Sequence, residues 1–285
     1  MTEEMQRINL DDYSQTGEGG TALTYNHKDG KTLAKLFMPS VTADNALREF
    51  RTSQVVYDLG LSTPKPIRLI TDGTRVGAEY ELIQPKRSFT RIISQEPDQL
   101  VPLSERFAVL AKQIHQTPAD TTRLPDMKDL AKQWIDKVPN LSDDIRARVN
   151  RFLDSISSTP TCLHGDLHIG NIITDGSRDL WIDVGDFAYG VPEWDLGMMY
   201  YAANFLSAER ADNIFHLDTD TLKAHWKAFA KVYYGTDSQE ALAAEVQKLQ
   251  PFIFVKMTFF VSKLTDGKRP LNDVIIQYLD NALPK

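Results

Sequence analysis

The chain is almost without cysteine: Cys162 is its one thiol, so no disulfide can close within it and a reducing compartment is expected. It also has no apolar run long enough for a bilayer. The most hydrophobic stretch, Pro251 to Val261, falls well short of the roughly 20 residues a membrane helix needs and carries Lys256. It reads as a buried helix. The opening MTEEMQRINLDDY has no apolar segment of the kind an export signal requires, so a cytoplasmic location is expected. Positive charge is not in excess either. The 32 Lys and Arg against 39 Asp and Glu leave a formal net charge of −7, which argues against nonspecific binding to nucleic acid or to an anionic membrane. No internal repeat, low-complexity tract or long linker is visible. What remains, at 285 residues with 42% hydrophobic and 25% charged, is an ordinary globular composition with room for two lobes sharing an interface. The composition does not speak to oligomeric state.

The texture changes once along the chain. Thr21–Tyr25 and Thr32–Phe37 are short runs of β-formers, bounded by Gly17-Glu18-Gly19-Gly20 and Asp29-Gly30. A helix is predicted from Ala43 to Leu59, with Leu47, Phe50, Gln54 and Tyr57 near helical spacing and Gly60 placed to end it. Strands are predicted at Ile67–Thr71 and Val76–Ile83, on either side of Asp72-Gly73. From about Ser88 onward helices dominate: Leu103–His115, Asp126–Lys137, Ser142–Ser155, and three or four more after Pro192. The polar, Pro-containing stretch Gln84–Arg87 suits a hinge, so the predicted lobes are residues 1–84 and 85–285.

One segment carries chemistry. Cys162 to Asp186 reads CLHGDLHIGNIITDGSRDLWIDVGD. It places Asp166 five residues before Asn171, and Asp183 at the end of the next apolar strand. Phosphoryl transfer needs a carboxylate to align and deprotonate a hydroxyl, and oxygen ligands to hold magnesium on the phosphates. The same string also holds His164, Asp166 and His168, which with Asp183 could bind a transition metal in a hydrolase. Asn171 has no place in such a site. Further back, Lys35 is a lone cation in the apolar strand Leu33–Phe37, and Glu49 follows 14 residues later on the predicted helix. The turn Gly17-Glu18-Gly19-Gly20-Thr21 lies between the first two strands, where glycine lets backbone approach a phosphate.

His164-Gly165-Asp166 through Asn171, with glycine where protein kinases carry arginine, and then Ile182-Asp183-Val184-Gly185-Asp186, resemble the aminoglycoside phosphotransferase and choline kinase group of kinase-like enzymes. The likeness spans most of residues 15 to 200. It implies an α+β, bilobal protein-kinase-like fold with a small antiparallel-sheet N-lobe and a larger, mostly helical C-lobe. It implies ATP and Mg2+ as cofactors, Asp166 as catalytic base, and Asn171 and Asp183 as magnesium ligands. Lys35, oriented by Glu49, would hold the phosphates beneath a loop containing Gly17, Gly19 and Gly20, while backbone groups around Glu81 to Gln84, those of Glu81 and Ile83 among them, would bind the adenine. Asp195 would brace the catalytic loop, with His164 structural. Only 11 residues separate Asp183 from Asp195, little room for a protein-docking segment, so the expected acceptor is a hydroxyl on a small molecule: an aminoglycoside, an amino alcohol or a sugar. Asp186, Glu193 and Trp194 are candidates to touch it. Asp186 reads equally as a solvated turn residue, and Trp194 also fits a buried helix face. A non-catalytic nucleotide-binding regulator and a protein kinase are the other readings of the same motifs.

Overall fold

The computed structural model describes residues 5–18, 21–39 and 41–283, so Gly19 and Gly20 lie outside the described residues. The chain begins with β1 (Gln6–Arg7), β2 (Tyr13–Glu18), β3 (Ala22–His27), β4 (Thr32–Phe37), α1 (Ala43–Asp58), β5 (Pro66–Thr71), β6 (Val76–Glu81) and β7 (Arg87–Ser88). Then come α2 (Phe89–Gln95), α3 (Leu100–Gln116), α4 (Met127–Ile135), α5 (Asp143–Ser155), β8 (Cys162–Leu163), β9 (Ile172–Thr174), β10 (Asp179–Trp181) and β11 (Ala188–Tyr189). Helices α6 (Glu193–Asn204), α7 (Ala208–Phe215), α8 (Thr219–Tyr234), α9 (Gln239–Leu264) and α10 (Asp273–Ala282) complete it. These elements fall into two compact units, one of residues 1–88 with 171–186, the other of 89–170 with 187–285.

In the first unit a six-stranded sheet has the order β1-β5-β6-β4-β3-β2. It is mixed rather than purely antiparallel, because β1 pairs with β5 in parallel, Gln6 opposite Ile70. Two exposed residues give no alternation to read, which is why the sequence shows no β1. Strand alternation puts Ala34 and Leu36 on one face with Tyr13, Tyr25 and Ile70. On the other, Phe50 of α1 packs against Leu69 and Ala78. Helix α1 starts where the Thr42 hydroxyl accepts the Asn45 N–H and stops before Gly60, which takes the left-handed φ of 77°. At Gly77 the backbones of β6 and β4 come so close that a Cβ would lie 2.1 Å from the Lys35 carbonyl oxygen.

The β9–β10 hairpin belongs to this unit although it comes late in the chain. β7 pairs with β9, the Trp181 N–H donates to Ser62 O at 2.8 Å, and the Thr63 hydroxyl donates to Trp181 O at 2.9 Å. Ile83, Ile173 and Leu180 are buried together beneath it. A boundary at 84/85 placed Asn171 and Asp183 with the later residues; by packing they sit with the earlier ones.

The second unit is built on helices, with α3 and α6 both packed on α8 and α6 also on α9. Among the described residues five helices follow Pro192, where the spacing predicted three or four. The break after α7 falls at His216, whose φ of 53° ends the helix without a glycine or proline to signal it. Among the described residues no helix is long and apolar enough to cross a membrane.

Candidate active site

In the first unit Lys35 stands in the middle of β4, opposite Thr24 on one side and Ala78 on the other. Because Ala34 and Leu36 point into the core, Lys35 takes the opposite face. There its Nζ donates to Glu49 Oε1 at 2.7 Å and to Asp183 Oδ1 at 2.9 Å. The pairing with Glu49 follows the sequence expectation; the bond to Asp183 was not anticipated. Burial works against the charge on Lys35, but the Asp183 and Glu49 carboxylates outweigh it and hold the ammonium above the usual lysine range.

Asp183 reaches Lys35 from the turn after β10. The Asn171 carbonyl accepts the Ile182 N–H at 3.0 Å, so Asn171 and Asp183 flank the mouth of one hairpin, Asn171 buried and Asp183 exposed. Asp183 has a φ of 53°, a left-handed conformation that aspartate tolerates better than most residues and that costs of order 1–3 kcal/mol. Two residues on, Gly185 lies against Glu49: a Cβ there would come within 2.6 Å of Glu49 Cγ. Gly185→Ala is therefore expected to push Glu49 off Lys35 at a stability cost of about 1–3 kcal/mol, read as a lower midpoint in thermal unfolding. An unchanged midpoint would mean that Glu49 gives way freely.

Lys35, Glu49 and Asp183 form the polar end of a ≈ 170 Å3 pocket whose apolar walls include Leu33, Tyr80, Ile83, Ile173 and Ile182. Burial, followed by the nearby Glu49 charge, pushes the Tyr80 hydroxyl up to about 12, so it stays protonated beside Ser53. Glu81 and Ile83 both line the pocket. The Glu81 amide is already bonded to Lys65 O at 2.9 Å and its carboxylate to the Lys65 N–H and Arg178, so this backbone N–H is committed within the unit. Gly17 sits at a bulge in β2, where a Cβ would come within 2.6 Å of the Thr24 hydroxyl oxygen; its missing side chain lets the two strands meet.

In the second unit Asp166 follows β8 on a loop held from behind by Asp195. Asp195 Oδ2 accepts the His164 N–H at 2.7 Å and Oδ1 accepts the Gly165 N–H at 3.0 Å. This clamp orients the backbone just before Asp166, and Gly165 takes a φ of 83° that favours glycine. Asp195 is fully buried, yet His115 Nε2 lies 3.2 Å from it and Lys256 Nζ 3.5 Å. Burial alone would raise its carboxyl; the His115 hydrogen bond and the Lys256 charge bring it down to about 2. Asp166 itself is half-buried, with His168 Nε2 3.6 Å from its Oδ2. Desolvation pushes Asp166 up, but the hydrogen bond and charge of His168, with His164 and Lys256 behind, hold it well below the usual carboxylate range. A carboxylate so held stays ionised and can align a hydroxyl through a hydrogen bond at any ordinary pH.

Several sequence candidates take different places. Trp194 is buried, 1% exposed, with its ring edge-on to Phe252 at 5.1 Å; it is a packing residue and is corrected from a substrate contact. Asp186 is exposed and Glu193 half-buried. His164 is fully buried with its ring tilted on Phe187. Among the described residues no group of three or more His, Cys, Asp or Glu is gathered to hold a metal ion.

Sequence reasoning gave no role to Lys256, His115 and Thr63. The first had a signal: a buried helix that contains one lysine needs a counter-charge and hydrogen bonds for it. Lys256 finds Asp195 and the Trp194 carbonyl, the latter at 3.1 Å. His115 and Thr63 carry no such mark in their neighbourhoods.

Among curated proteins none matches the chain significantly by sequence. Among solved structures, an ethanolamine kinase of Plasmodium vivax is similar over 96% of this chain and 82% of its own, with 17% identity and a TM-score of 0.60. The gentamicin complex of APH(2″)-IIa is similar over 95% and 91%, with 15% identity and a TM-score of 0.59. A choline/ethanolamine kinase family protein of Mesorhizobium loti is similar over 95% and 85%, with 15% identity and a TM-score of 0.55. At these identities the likeness establishes the fold, α+β and kinase-like. A family model, APH, described as the phosphotransferase enzyme family, matches residues 12–230. Covering most of the sequence and both the Lys35 strand and the Asp166 loop, that match means that the chain belongs to the phosphotransferase enzyme family.

Proposed function

We propose that this protein moves the γ-phosphoryl group of ATP to a hydroxyl of a small molecule in the cytosol, in the presence of magnesium. The observation that carries this reading is Lys35, bonded to both Glu49 and Asp183 at the polar end of the ≈ 170 Å3 apolar pocket. A flat heteroaromatic ring suits walls of Leu33, Ile83, Ile173 and Ile182, and a fixed cation suits the phosphates attached to it. Kinases of this fold have been solved with AMP or AMP-PNP bound, which supports an adenine nucleotide for this pocket.

Asn171 and Asp183 are hard oxygen donors on one hairpin mouth. One carboxylate and one amide fit magnesium, which takes few protein ligands and completes its shell with phosphate and water. Bound there, the ion would neutralise charge on the phosphates. Lys35 would hold the phosphates, and Glu49 would keep Lys35 from collapsing fully onto Asp183. Asp166 would accept a hydrogen bond from the acceptor hydroxyl and orient its oxygen for attack, receiving the proton as the new bond forms. Its lowered basicity suits alignment more than early proton abstraction, as expected for a loose transition state in which the nucleophile is little deprotonated. Asp195 would keep the loop carrying Asp166 in register.

The test is ADP release with Mg-ATP across a panel of amino alcohols, sugars and aminoglycosides. Stimulation by one compound, lost in Asp166→Ala, is the expected outcome. Mg-ATP binding with no stimulation across a broad panel would favour a nucleotide-binding regulator, and failure to bind nucleotide would remove the kinase reading.

A further inference from the structure

Within the second unit a line of side-chain hydrogen bonds runs from the end of α8 to the loop that carries Asp166. The Tyr233 hydroxyl lies 2.7 Å from Nδ1 of His115 on α3, and His115 Nε2 lies 3.2 Å from Oδ2 of Asp195 on α6. That same oxygen accepts the His164 N–H at 2.7 Å, two residues before Asp166. Each oxygen of Asp195 therefore holds one loop amide and is braced by one side chain, Oδ2 by His115 and Oδ1 by Lys256. The two braces differ. Lys256 also donates to the Trp194 carbonyl, next to Asp195 in the chain, so its place is set by α6 itself. His115 comes from another helix, and its second nitrogen is held by Tyr233.

Hydrogen-bond accounting gives the line a direction. Asp195 is held ionised and only accepts, so the His115 nitrogen facing it carries a proton. In the neutral imidazole Nδ1 then has the lone pair and takes the Tyr233 proton. Burial, with Tyr234, Asp195 and Glu193 adding to it, pushes the Tyr233 hydroxyl above the usual tyrosine range, so that proton is in place at any ordinary pH. The ring satisfies both partners in one orientation only. Turned by half a rotation it would present Cδ2 to Tyr233 and Cε1 to Asp195, and both bonds would be lost. Tyr233 is itself held, its ring stacked on Phe229 at 5.3 Å and edge-on to His115 at 5.7 Å. His115 and Asp195 are both buried, so bulk water does not stand in for a lost partner.

We propose that Tyr233 and His115 are positioning residues for Asp166, acting through Asp195. The tyrosine selects the orientation of the His115 ring, and the imidazole fixes the turn of the Asp195 carboxylate. That carboxylate in turn sets the His164–Gly165 backbone from which Asp166 projects. The catalytic part of Asp166 rests on the phosphotransferase reading; the hold on its loop does not. The coupling is direct because Oδ2 is shared: a carboxylate that turns away from His115 also turns away from the His164 amide. Gly165, between His164 and Asp166, has a φ of 83°, so a change in the amides it shares with Asp195 re-aims the next side chain. Aim matters for the proposed step, since a displacement of about 1 Å in a reacting group can cost about 10²-fold in rate.

The test compares Tyr233→Phe, His115→Gln and His115→Phe in the whole protein. The backbone amides of His164 and Gly165 are read by proton–nitrogen correlation and by exchange with deuterium. Tyr233→Phe removes only the hydroxyl. His115→Gln keeps an N–H that can reach Asp195 and gives up Tyr233, whereas His115→Phe gives up both. The expected result is that both amide proton signals move upfield and exchange faster in Tyr233→Phe and His115→Gln, and further in His115→Phe. If the panel above yields an acceptor, kcat should fall in the same order, at least about threefold in Tyr233→Phe, the equivalent of one modest hydrogen bond. KM for ATP should stay unchanged, with all rates taken well below every unfolding midpoint. Amides in Tyr233→Phe that match the parent overturn the proposal. So does an unchanged kcat in an active enzyme, or a His115→Gln no closer to the parent than His115→Phe. Should His115→Phe fail to fold, Tyr233→Phe alone still decides. The spectra need neither nucleotide nor acceptor, so failure of the kinase reading cannot be mistaken for failure of this one.

Discussion

Replacing Asp166 with alanine is expected to lower turnover by about two to four decades while ATP affinity stays near its original value. The split follows from where the residues are. Lys35, Glu49 and Asp183, at the polar end of the ≈ 170 Å3 pocket, all lie in the first unit, and Asp166 is not among the residues of that pocket. On the proposed reading, removing Asp166 would take away a hydrogen bond to the acceptor hydroxyl and leave the groups proposed to hold the phosphates in place. Its carboxyl is already held low by His168, His164 and Lys256 against desolvation. Loss of activity between neutral pH and pH 5 should accordingly not come from protonation of this residue. Single-turnover rates with saturating ATP, alongside nucleotide titrations of both proteins, measure the two quantities separately. Equal rates in mutant and parent would remove Asp166 from the mechanism.

Asp195→Ala is expected to have the largest effect on stability. It leaves the His164 and Gly165 amides without an acceptor and Lys256 without a counter-charge, all in a fully buried place. Breaking a buried pair from one side costs about 3–5 kcal/mol, a large share of the 5–15 kcal/mol that typically holds a domain folded. Urea unfolding should show the loss directly, and activity should fall with it because the Asp166 loop loses its clamp. A midpoint within error of the parent would show that water or a neighbouring group replaces the carboxylate. Asp195 also sets an acid limit. Its folded value of about 2 lies below the ordinary 3.8, so the unfolded chain takes up the proton first as pH falls. The contribution is whole above about pH 4 and is lost as pH drops through 2. In Asp195→Asn that part of the acid destabilisation should be missing, although the protein is less stable at pH 7.

Helical spacing predicted α1 to within a residue, and the Asp-Gly turn separated β5 from β6 as observed. These are local effects, decided by alternation, capping and left-handed glycine. The string proposed to be catalytic stood out for a different reason: Asp166, Asn171 and Asp183 hold a spacing that few other chemistries need. Trp194 shows the limit of such reading. The same residue suits an aromatic pocket wall and a helix core, and only its 1% exposure separates the two. Lys256 shows the converse, a charge whose partner, Asp195, lies far away in sequence and is brought near only by the packing of α6 on α9.

The sequence by itself determined the family and the order of the longer strands and helices up to Pro192, and it pointed to the residue types of the proposed site, because each depends on neighbours within a few positions or on a short motif. Tertiary structure alone decided that 171–186 joins the first unit, that Asp183 shares Lys35 with Glu49, and that Gly185 makes room for Glu49. It also decided that the two ring nitrogens of His115 meet Tyr233 and Asp195. Such outcomes depend on distances between residues remote in sequence. A linear pattern does not encode those distances; they exist only once the chain has packed.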